Sequence, residues 1–421
     1  MSEKQLPKND FVREQIKDKP KNHKRVWMRL GMAAACGGVF TLAACLVFLL
    51  AGPVLFRQEQ GADVQKETQD RAQASETTEE TEDSGDKETP DTVTERPMTL
   101  EDYQQIQTQL YAIGNRANKS IVTITSVVSD TDWFNNSYER EGQGCGTIIG
   151  ERGGKILILT EKKVIKNASQ IKVTFADDTV AKAKLVKYDG NTGLAALTVD
   201  QTELENSTKD SISVMHMAKA NSVHKGNIVI ALGSPLGTNY SILTGTITAN
   251  NNEISTLDSN YNIYTTDIVA SENGSGVLIN TDGEMVGVVM QSYGVDSANT
   301  LTAVDATELS PIIELLFANK DVPYLGVHIS TVTSHIAQKY DIPRGVYIKK
   351  VEMDSPAMEA GLQSGDVILS IAGEELSTSE EFQDTLLALE PGERYSAVIM
   401  REGTKGYKKI TCKFKVGVLD E

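Results

Sequence analysis

The chain has 421 residues, of which 40% are hydrophobic, and this is more than one hydrophobic core usually holds, so we expect two or three folded units. Its 41 Lys and Arg against 58 Asp and Glu give a formal net charge of −17, which repels nucleic acid and argues against nucleic-acid binding. Its 4 cysteines are too few for a disulfide scaffold, and none has the spacing of a zinc site, so we predict no metal and no cofactor.

The N-terminal part of the chain has the pattern of a membrane anchor. Residues 1–29 hold nine Lys or Arg against four Asp or Glu, and the next 27 residues, 30–56, hold no charge. As a helix, such a run would span roughly 40 Å, more than the ~30 Å hydrocarbon core of a bilayer. We therefore predict a basic cytoplasmic tail at 1–29 and an uncleaved, single-pass transmembrane helix at 30–56, with the folded domains outside the cytoplasm at the cell membrane.

A lipoprotein-like box, Leu42-Ala43-Ala44-Cys45, offers an alternative in which Cys45 is lipidated. Eleven further apolar residues follow Cys45, where lipoproteins turn polar, and this argues against lipidation.

Residues 57–98 are predicted to be a disordered acidic linker. Residues 57–96 hold 13 Asp or Glu against five Lys or Arg and almost no apolar side chains, so they cannot bury enough surface to offset chain entropy. After the linker, Thr99 and Asp102 have the spacing of a helix cap. A helix up to about Gly114 is indicated by apolar residues at helical spacing, namely Leu100, Tyr103, Ile106 and Leu110.

Beyond this helix the chain changes to a dozen or so short β-rich runs, such as SIVTITSVV, KILILT, NIVIALG and EMVGVVM, separated by Gly, Asn, Asp and Pro. Short strands at near-regular spacing indicate an all-β barrel or sandwich of about 200 residues. A helical pattern returns at 307–316, and a second block beyond Asp321 mixes strands with two helices.

Particular motifs carry a resemblance to a known family. In chain order they occupy residues 142–149, 158–165, 191–197, 231–237, 244–247, 273–276, 324–327 and 355–368. This ordered series resembles the HtrA (DegP-like) family of trypsin-fold serine proteases with a C-terminal PDZ domain, over residues 100–416. The resemblance implies a mainly β fold, with a trypsin-like double β-barrel at 99–320 followed by an α+β PDZ domain at 321–416. The anchor and acidic linker resemble the membrane-bound members of Gram-positive bacteria.

A trypsin-fold protease activates its serine with an imidazole that a buried carboxylate orients, in chain order His, Asp, Ser. The resemblance places the histidine position at Lys163, the aspartate position at Gly193 and the nucleophile at Ser275, so two of the three catalytic groups are absent. The family's Gly-Asn-Ser-Gly-Gly-Pro reads Asn273-Gly274-Ser275-Gly276-Val277 here, one residue shorter. This change puts in doubt an oxyanion hole at Asn273 and Gly274, because its N–H groups need an accurate position.

Other side chains are candidates for replacing the missing imidazole and carboxylate. The five histidines lie far from Lys163 in sequence, and we expect them on the surface or as satisfied core residues: His23, His216, His224, His328 and His335. Lys163 is an alternative base in a Ser–Lys dyad, although the neighbouring Lys162 and the lack of an apolar shell favour a solvated lysine. Asp189 offers a carboxylate, but there is no imidazole for it to orient.

PDZ domains bind the C-terminal carboxylate of a peptide through backbone N–H groups of a Gly-containing loop, and add the peptide to a sheet edge. The resemblance assigns that loop to residues 324–327. The predicted peptide-binding residues are Tyr324, Leu325, Gly326 and Val327, with Ile329 on the following strand and Phe382 and Leu386 on a helix at 378–389. Phe382 and Leu386 are either groove wall or core. Cys145 and Cys412 fall in different domains and are expected to be free thiols.

Two functions follow. The favoured one is a membrane-anchored pseudoprotease that binds peptides or protein C-termini, in protein quality control or regulation, with association with an active relative as a further expectation. The alternative is an active serine endopeptidase that uses Ser275 with Lys163 as a non-standard base. Family resemblance also implies a homo-trimer, with its contact in residues 103–134, which include Tyr111 and Trp133.

Overall fold

The computed structural model describes residues 97–131, 137–294 and 299–419. The predicted tail at 1–29, the transmembrane helix at 30–56 and Cys45 lie outside the described residues, as do Trp133 and all but the last two residues of the linker at 57–98. Within the described part, no helix has the length and apolar character needed to cross a membrane.

The first helix, α1 (Leu100–Ala117), confirms the sequence prediction. The Thr99 side chain accepts a hydrogen bond from the Asp102 N–H, and the Asp102 carboxylate accepts one from the Thr99 N–H, which together form a capping box. Leu110 and Gly114 are buried, whereas Leu100, Tyr103 and Tyr111 are exposed. The helix therefore packs one face on the molecule and leaves an apolar face in solvent.

Two closed six-stranded barrels follow. The first has the strand order β1-β2-β3-β6-β5-β4 and the second has the order β10-β11-β12-β9-β8-β7. Within both barrels the strand pairs are antiparallel. The first barrel contains β1 (Ile121–Thr131), β2 (Ser137–Arg152), β3 (Lys155–Glu161), β4 (Gln170–Thr174), β5 (Val180–Tyr188) and β6 (Leu194–Asp200), with short helices α2 (Lys162–Ile165) and α3 (Asn206–Ser211).

The second barrel contains β7 (Ile228–Ser234), β8 (Ser241–Ser255), β9 (Asn260–Val269), β10 (Ser275–Ile279), β11 (Met285–Met290) and β12 (Thr300–Asp305), and helix α4 (Ala306–Phe317) follows it. Separate clusters of buried side chains fill the two barrels, around Ile124 and Leu197 in the first and around Val229 and Leu278 in the second. A third cluster, which includes Cys145, Leu232 and Val277, lies where β2 meets β7 and β10. This contact between the barrels positions the candidate site.

The C-terminal domain is built on the sheet β14-β15-β16-β18-β19, with β17 paired to β16 and a separate pair of β13 with β20. Its strands are β13 (Pro323–Tyr324), β14 (Val327–Thr331), β15 (Val346–Val351), β16 (Val367–Ile371), β17 (Glu374–Glu375), β18 (Arg394–Gly403), β19 (Gly406–Lys415) and β20 (Gly417–Val418). Its helices are α5 (Ser334–Tyr340), α6 (Pro356–Glu359) and α7 (Ser379–Leu387). An ion pair between the buried Asp366 and the partly buried Arg401, at 2.7 Å, links β18 to the turn before β16.

The predicted architecture of a double β-barrel followed by a PDZ domain is confirmed. The helical patterns at 307–316 and 378–389 correspond to α4 and α7, which begin and end within two residues of the predicted positions. Strand β3 is buried on both faces apart from its first residue, because barrel core and neighbouring elements cover it, and its sequence is accordingly a nearly continuous apolar run.

Candidate active site and carboxylate loop

The structure brings together the three positions that the resemblance assigns to a catalytic triad. Lys163 lies on α2, and the N–H of its neighbour Lys162 donates to the Gly193 carbonyl at 2.7 Å. The Lys163 Nζ lies 3.5 Å from the carbonyl oxygen of Gly274, the residue before Ser275. Ser275 opens β10 at the junction of the barrels. The three positions therefore lie in one region at the junction of the barrels.

Ser275 is enclosed. Its side chain lies in a residue that is only 3% exposed, and its Oγ accepts a hydrogen bond from the Cys145 N–H at 3.3 Å. The cavity beside it, which Cys145, Glu161 and Val288 also line, has a volume of about 10 Å³. Such a volume holds at most about one water molecule. The Ser275 hydroxyl thus lies against Cys145 on the wall of the first barrel.

Lys163 is engaged with a carboxylate that the sequence analysis did not identify. Its Nζ forms an ion pair with Glu161 Oε2 at 2.9 Å, and its side chain is 41% exposed. Burial raises the pKa of Glu161, and the Lys163 charge opposes that rise. The other oxygen, Glu161 Oε1, has no hydrogen-bond partner among the described residues. Lys163 is thus a partly solvated cation held by an anion, which is a poor arrangement for accepting a proton from Ser275.

The loop that would form the oxyanion hole makes internal hydrogen bonds. The Gly274 N–H donates to the Ser271 carbonyl at 2.9 Å, and the Ser271 N–H donates to the Pro235 carbonyl at 2.8 Å. Asn273 is exposed and Gly274 is buried. An oxyanion hole needs N–H groups that point at the developing charge. The Gly274 N–H points back into its own loop instead.

Gly193 adopts a left-handed backbone with a φ of 74°. An aspartate there would carry a backbone cost of about 1 kcal/mol in addition to lacking an imidazole partner. Asp189, the alternative carboxylate, is buried and accepts hydrogen bonds from the Thr192 N–H at 2.8 Å and the Thr192 Oγ1 at 2.6 Å. Asp189 therefore caps its own loop.

The histidines take no part in this site in the described part of the chain. His216 and His224 are exposed on the segment before β7, and His328 and His335 lie in the PDZ domain. No described hydrogen bond joins any of them to Ser275. His23 lies outside the described residues.

The predicted carboxylate-binding loop of the PDZ domain is occupied by a carboxylate of this same chain. Asp258, at the tip of the β8–β9 hairpin, accepts hydrogen bonds from the N–H groups of Leu325 at 2.7 Å, Gly326 at 2.9 Å and Val327 at 2.9 Å. The Asp258 N–H in turn donates to the Val327 carbonyl at 2.7 Å. Convergent backbone N–H groups of this kind form an anion site.

Of the other residues predicted to line the peptide groove, some lie in the PDZ core and one lines a cavity. Gly326 has a φ of 92°, and a Cβ at this position would collide with Ser355, so the loop requires glycine. Ile329 and Phe382 are fully buried in the PDZ core cluster. Leu386 is buried as well, and it lines a cavity of about 20 Å³ together with Leu257 of the hairpin.

Sequence reasoning missed Glu161, Cys145 and Asp258 as neighbours of the two sites. Glu161 and Cys145 lie inside motifs that were identified, so their proximity to the site could have been inferred from those motifs. Asp258 is 67 residues from Leu325 in sequence, and its surroundings indicate only a turn between two strands. No local signal could have placed it on the PDZ loop.

The comparisons with known proteins agree with this geometry. Residues 144–288 match the trypsin-like peptidase domain family and residues 323–411 match the PDZ domain family. The serine protease Do-like HtrA of Bacillus subtilis (strain 168) is 28% identical over 320 residues, which cover 71% of this chain and 70% of that protein. A probable periplasmic serine endoprotease DegP-like of Hahella chejuensis (strain KCTC 2396) is 30% identical over 285 residues, which cover 64% of this chain and 58% of that protein.

The match thus spans little more than half the length of the Hahella relative. Among solved structures, the HtrA-type protease AlgW with decapeptide has a TM-score of 0.52 at 22% identity, and the likeness covers 74% of this chain and 99% of that chain. At this identity the likeness supports the fold.

Two closed barrels with a site at their junction, followed by a PDZ domain, define a trypsin-fold protein with a C-terminal PDZ domain. Over its trypsin-like and PDZ domains the chain is similar to HtrA and DegP-like proteins.

The closed junction leads to a prediction for the two described thiols, which are both free: Cys145 is buried and Cys412 is partly buried. Burial raises the pKa of Cys145 to about 12, with a further contribution from the Glu161 charge. At pH 8 its thiolate fraction is on the order of 10⁻⁴, so iodoacetamide should label Cys412 while Cys145 stays unmodified. Mass spectrometry of digested, briefly labelled protein measures this, and both thiols should react in urea. Equal labelling of the native thiols would show that the junction is open.

Proposed function

We propose that this chain is a membrane-anchored HtrA-family protein of the cell envelope that has lost proteolysis and binds peptides or protein C-termini through its PDZ domain, in protein quality control or regulation. The observation that carries the proposal is the environment of Ser275. Its Oγ accepts a hydrogen bond from the Cys145 N–H, and the position that supplies the imidazole in the family holds a lysine paired with Glu161.

Loss of the imidazole has a large chemical effect. A serine hydroxyl at neutral pH needs a base to take its proton as it attacks. Because triad members act as a unit, removal of the histidine alone costs about as much as removal of all three, on the order of 10⁶ in kcat. The residual catalysis of a triad-free site comes from substrate binding and the oxyanion hole. Here the Gly274 N–H is used inside its own loop, and the cavity at Ser275 is about 10 Å³, so both residual sources are weakened.

An active serine endopeptidase with Lys163 as base is the second candidate. The distance of 3.5 Å between Lys163 Nζ and the Gly274 carbonyl favours it, because it places the amine next to the serine. The relatives from Bacillus and Hahella are also named as serine proteases. The ion pair with Glu161 argues against it, since a base has to be neutral before it can accept a proton.

Binding of protein C-termini is supported by the loop itself. Three successive backbone N–H groups, from Leu325 to Val327, converge on one carboxylate, and this is the chemistry that PDZ domains use for a peptide C-terminus. Ile329 continues the strand on which a peptide would be added. Positively charged side chains are not required, because the N–H groups supply the partial charges.

Membrane anchoring and assembly are further parts of the proposal. The uncharged run at 30–56 and the basic tail at 1–29 support a single-pass anchor with a cytoplasmic N-terminus. The exposed apolar face of α1, with Leu100, Tyr103 and Tyr111, supports a homo-trimer or association with an active relative.

We predict that Ser275 is unreactive. The protein should show no labelling by a fluorophosphonate probe and no cleavage of casein above the level of the Ser275→Ala variant, because no base takes the serine proton. Gel fluorescence measures the labelling, and release of soluble casein peptides measures the cleavage. Cleavage that Ser275→Ala abolishes would contradict the pseudoprotease proposal. If Lys163→Ala abolished it too, the Ser–Lys mechanism would be supported.

For the anchor, protease added to intact cells should remove the residues beyond Arg57 and leave an N-terminal tag protected, since the tail is expected to be cytoplasmic. Immunoblotting for the tag measures protection. A tag that is digested in sealed cells would reject this topology.

For the trimer, sedimentation equilibrium should give three times the chain mass. The double variant Tyr103→Glu with Tyr111→Glu should shift the protein toward the monomer, because charges would be buried in the contact. Val180→Glu, at a residue that is also exposed but lies on β5, is the matched control and should leave the mass unchanged. A monomeric unchanged protein would rule the trimer out.

A further inference from the structure

The carboxylate loop of the PDZ domain is filled by a side chain that reproduces the contacts of a bound C-terminus. The Asp258 carboxylate accepts from Leu325, Gly326 and Val327, with the two oxygens sharing the Gly326 N–H at 2.9 Å each. A free peptide C-terminus would present the same group to the same donors. Burial raises the pKa of Asp258 to about 6, so at pH 7.5 the group is mainly ionised and carries the same charge as that C-terminus.

The hairpin tip also contacts β14 in the way that a peptide strand added to the sheet edge would. The Asp258 N–H donates to the Val327 carbonyl at 2.7 Å, and the Asn260 Nδ2 lies 3.5 Å from the Ile329 carbonyl. Val327 and Ile329 are alternate residues of β14, which is the spacing at which a peptide added to a sheet edge makes its bonds. The hairpin tip therefore uses the polar groups of the strand edge as well as those of the loop.

The space for a ligand side chain is also taken. Leu257, the residue before Asp258, lines with Leu386 and Gln383 a cavity of about 20 Å³. That volume holds about one water molecule. A peptide and the hairpin tip cannot occupy the loop and this cavity together.

The backbone geometry of the β8–β9 hairpin brings its tip to the PDZ loop. Two register irregularities between β8 and β9, at Ile247 to Ala249 and at Ala249 to Asn252, bend the hairpin on its way out of the barrel. Asp258 itself has a left-handed backbone with a φ of 60°, an unfavourable conformation that Asp tolerates better than most residues. The tip is held further by Asn191, whose Nδ2 donates to the Leu257 carbonyl at 2.6 Å.

We propose that Asp258 is an internal ligand of the PDZ loop, so that a protein C-terminus with a free carboxylate binds only when the β8–β9 hairpin has left the loop. This inference rests on the proposed function of the loop, and it adds that Asp258 and a protein C-terminus compete for that loop. The apparent affinity for a C-terminus is then the intrinsic affinity reduced by the fraction of molecules in which the loop is free.

The test uses the full-length chain in detergent and a fluorescein-labelled pool of decapeptides that end in Leu, Val or Phe with a free carboxylate. The same pool with amidated C-termini is the second probe. Asp258→Asn removes the charge and keeps a residue that suits the left-handed backbone, and Asp258→Gly removes the side chain without strain. Asp178→Asn is the matched control, because Asp178 is an exposed aspartate in the β4–β5 turn with a φ of 63°.

By fluorescence anisotropy, both Asp258 variants should bind the free-carboxylate pool at least about tenfold more tightly than the unchanged chain, and Asp178→Asn should match the unchanged chain. None of the proteins should bind the amidated pool with comparable affinity. Equal affinity of the unchanged chain and the Asp258 variants would overturn the competition and leave the binding function standing. No binding to any of the proteins would reject the binding function, and the competition with it.

Amide hydrogen exchange gives a readout that needs no peptide. The N–H groups of Leu325, Gly326 and Val327 should exchange at least about tenfold faster in Asp258→Gly than in the unchanged chain and in Asp178→Asn, because their acceptor is lost. Equal exchange rates in all three proteins would show that the hairpin does not occupy the loop, and would overturn the inference whatever the peptides do.

Discussion

A buried carboxylate of the second barrel, Asp258, forms the most extensive hydrogen-bonded contact with the PDZ domain, beside the contacts of Asn260 with Ile329 and of Tyr261 with Gln383. Asp258 is only 5% exposed, and an ion buried to this extent costs several kcal/mol unless hydrogen bonds replace its water. The N–H groups of Leu325, Gly326 and Val327 supply those bonds, and they in turn would be unsatisfied at a buried surface without an acceptor. The hairpin therefore supplies the acceptor for the buried N–H groups of the PDZ loop, and the loop supplies the donors for the buried carboxylate.

This joint is connected by a series of contacts to the candidate site at Ser275. Asn191 holds the Leu257 carbonyl through its side chain and belongs to the same loop as Gly193, whose carbonyl accepts the Lys162 N–H at 2.7 Å. Lys162 begins α2, which carries Lys163, and the Lys163 Nζ lies 3.5 Å from the Gly274 carbonyl beside Ser275. Contiguity alone is not coupling, which requires an element with two states. The β8–β9 hairpin, docked on the PDZ loop or released from it, is the element with two states, and it lies at the PDZ end of these contacts.

The sequence was sufficient for the fold, because the fold is encoded in local motifs whose order can be read along the chain. Apolar runs such as residues 155–161 predict strands, and Thr99 and Asp102 predict the start of α1. Contacts between distant segments have no such local signal. The tip at Asp258 looks like any hairpin turn, and only the bend of β8 and β9 brings it to residues 325–327. The proximity of Glu161 to the site follows from its motif, but its ion pair with Lys163 depends on α2, which turns Lys163 back toward it.

The loop at residues 189–193 lies between the candidate site and the hairpin tip that contacts the PDZ domain. In the family pattern this loop supplies the carboxylate that orients an imidazole, a role that has no partner here because Lys163 stands in the histidine position. Asp189 instead accepts two bonds from Thr192, and Gly193 allows the left-handed turn with its φ of 74°. The resulting tight loop presents the Asn191 amide, whose Nδ2 donates to the Leu257 carbonyl and whose Oδ1 accepts from the Leu257 N–H. An aspartate at position 193 would have to adopt this left-handed backbone at a cost of about 1 kcal/mol, whereas glycine adopts it without that cost and so favours the turn that presents Asn191 to the hairpin.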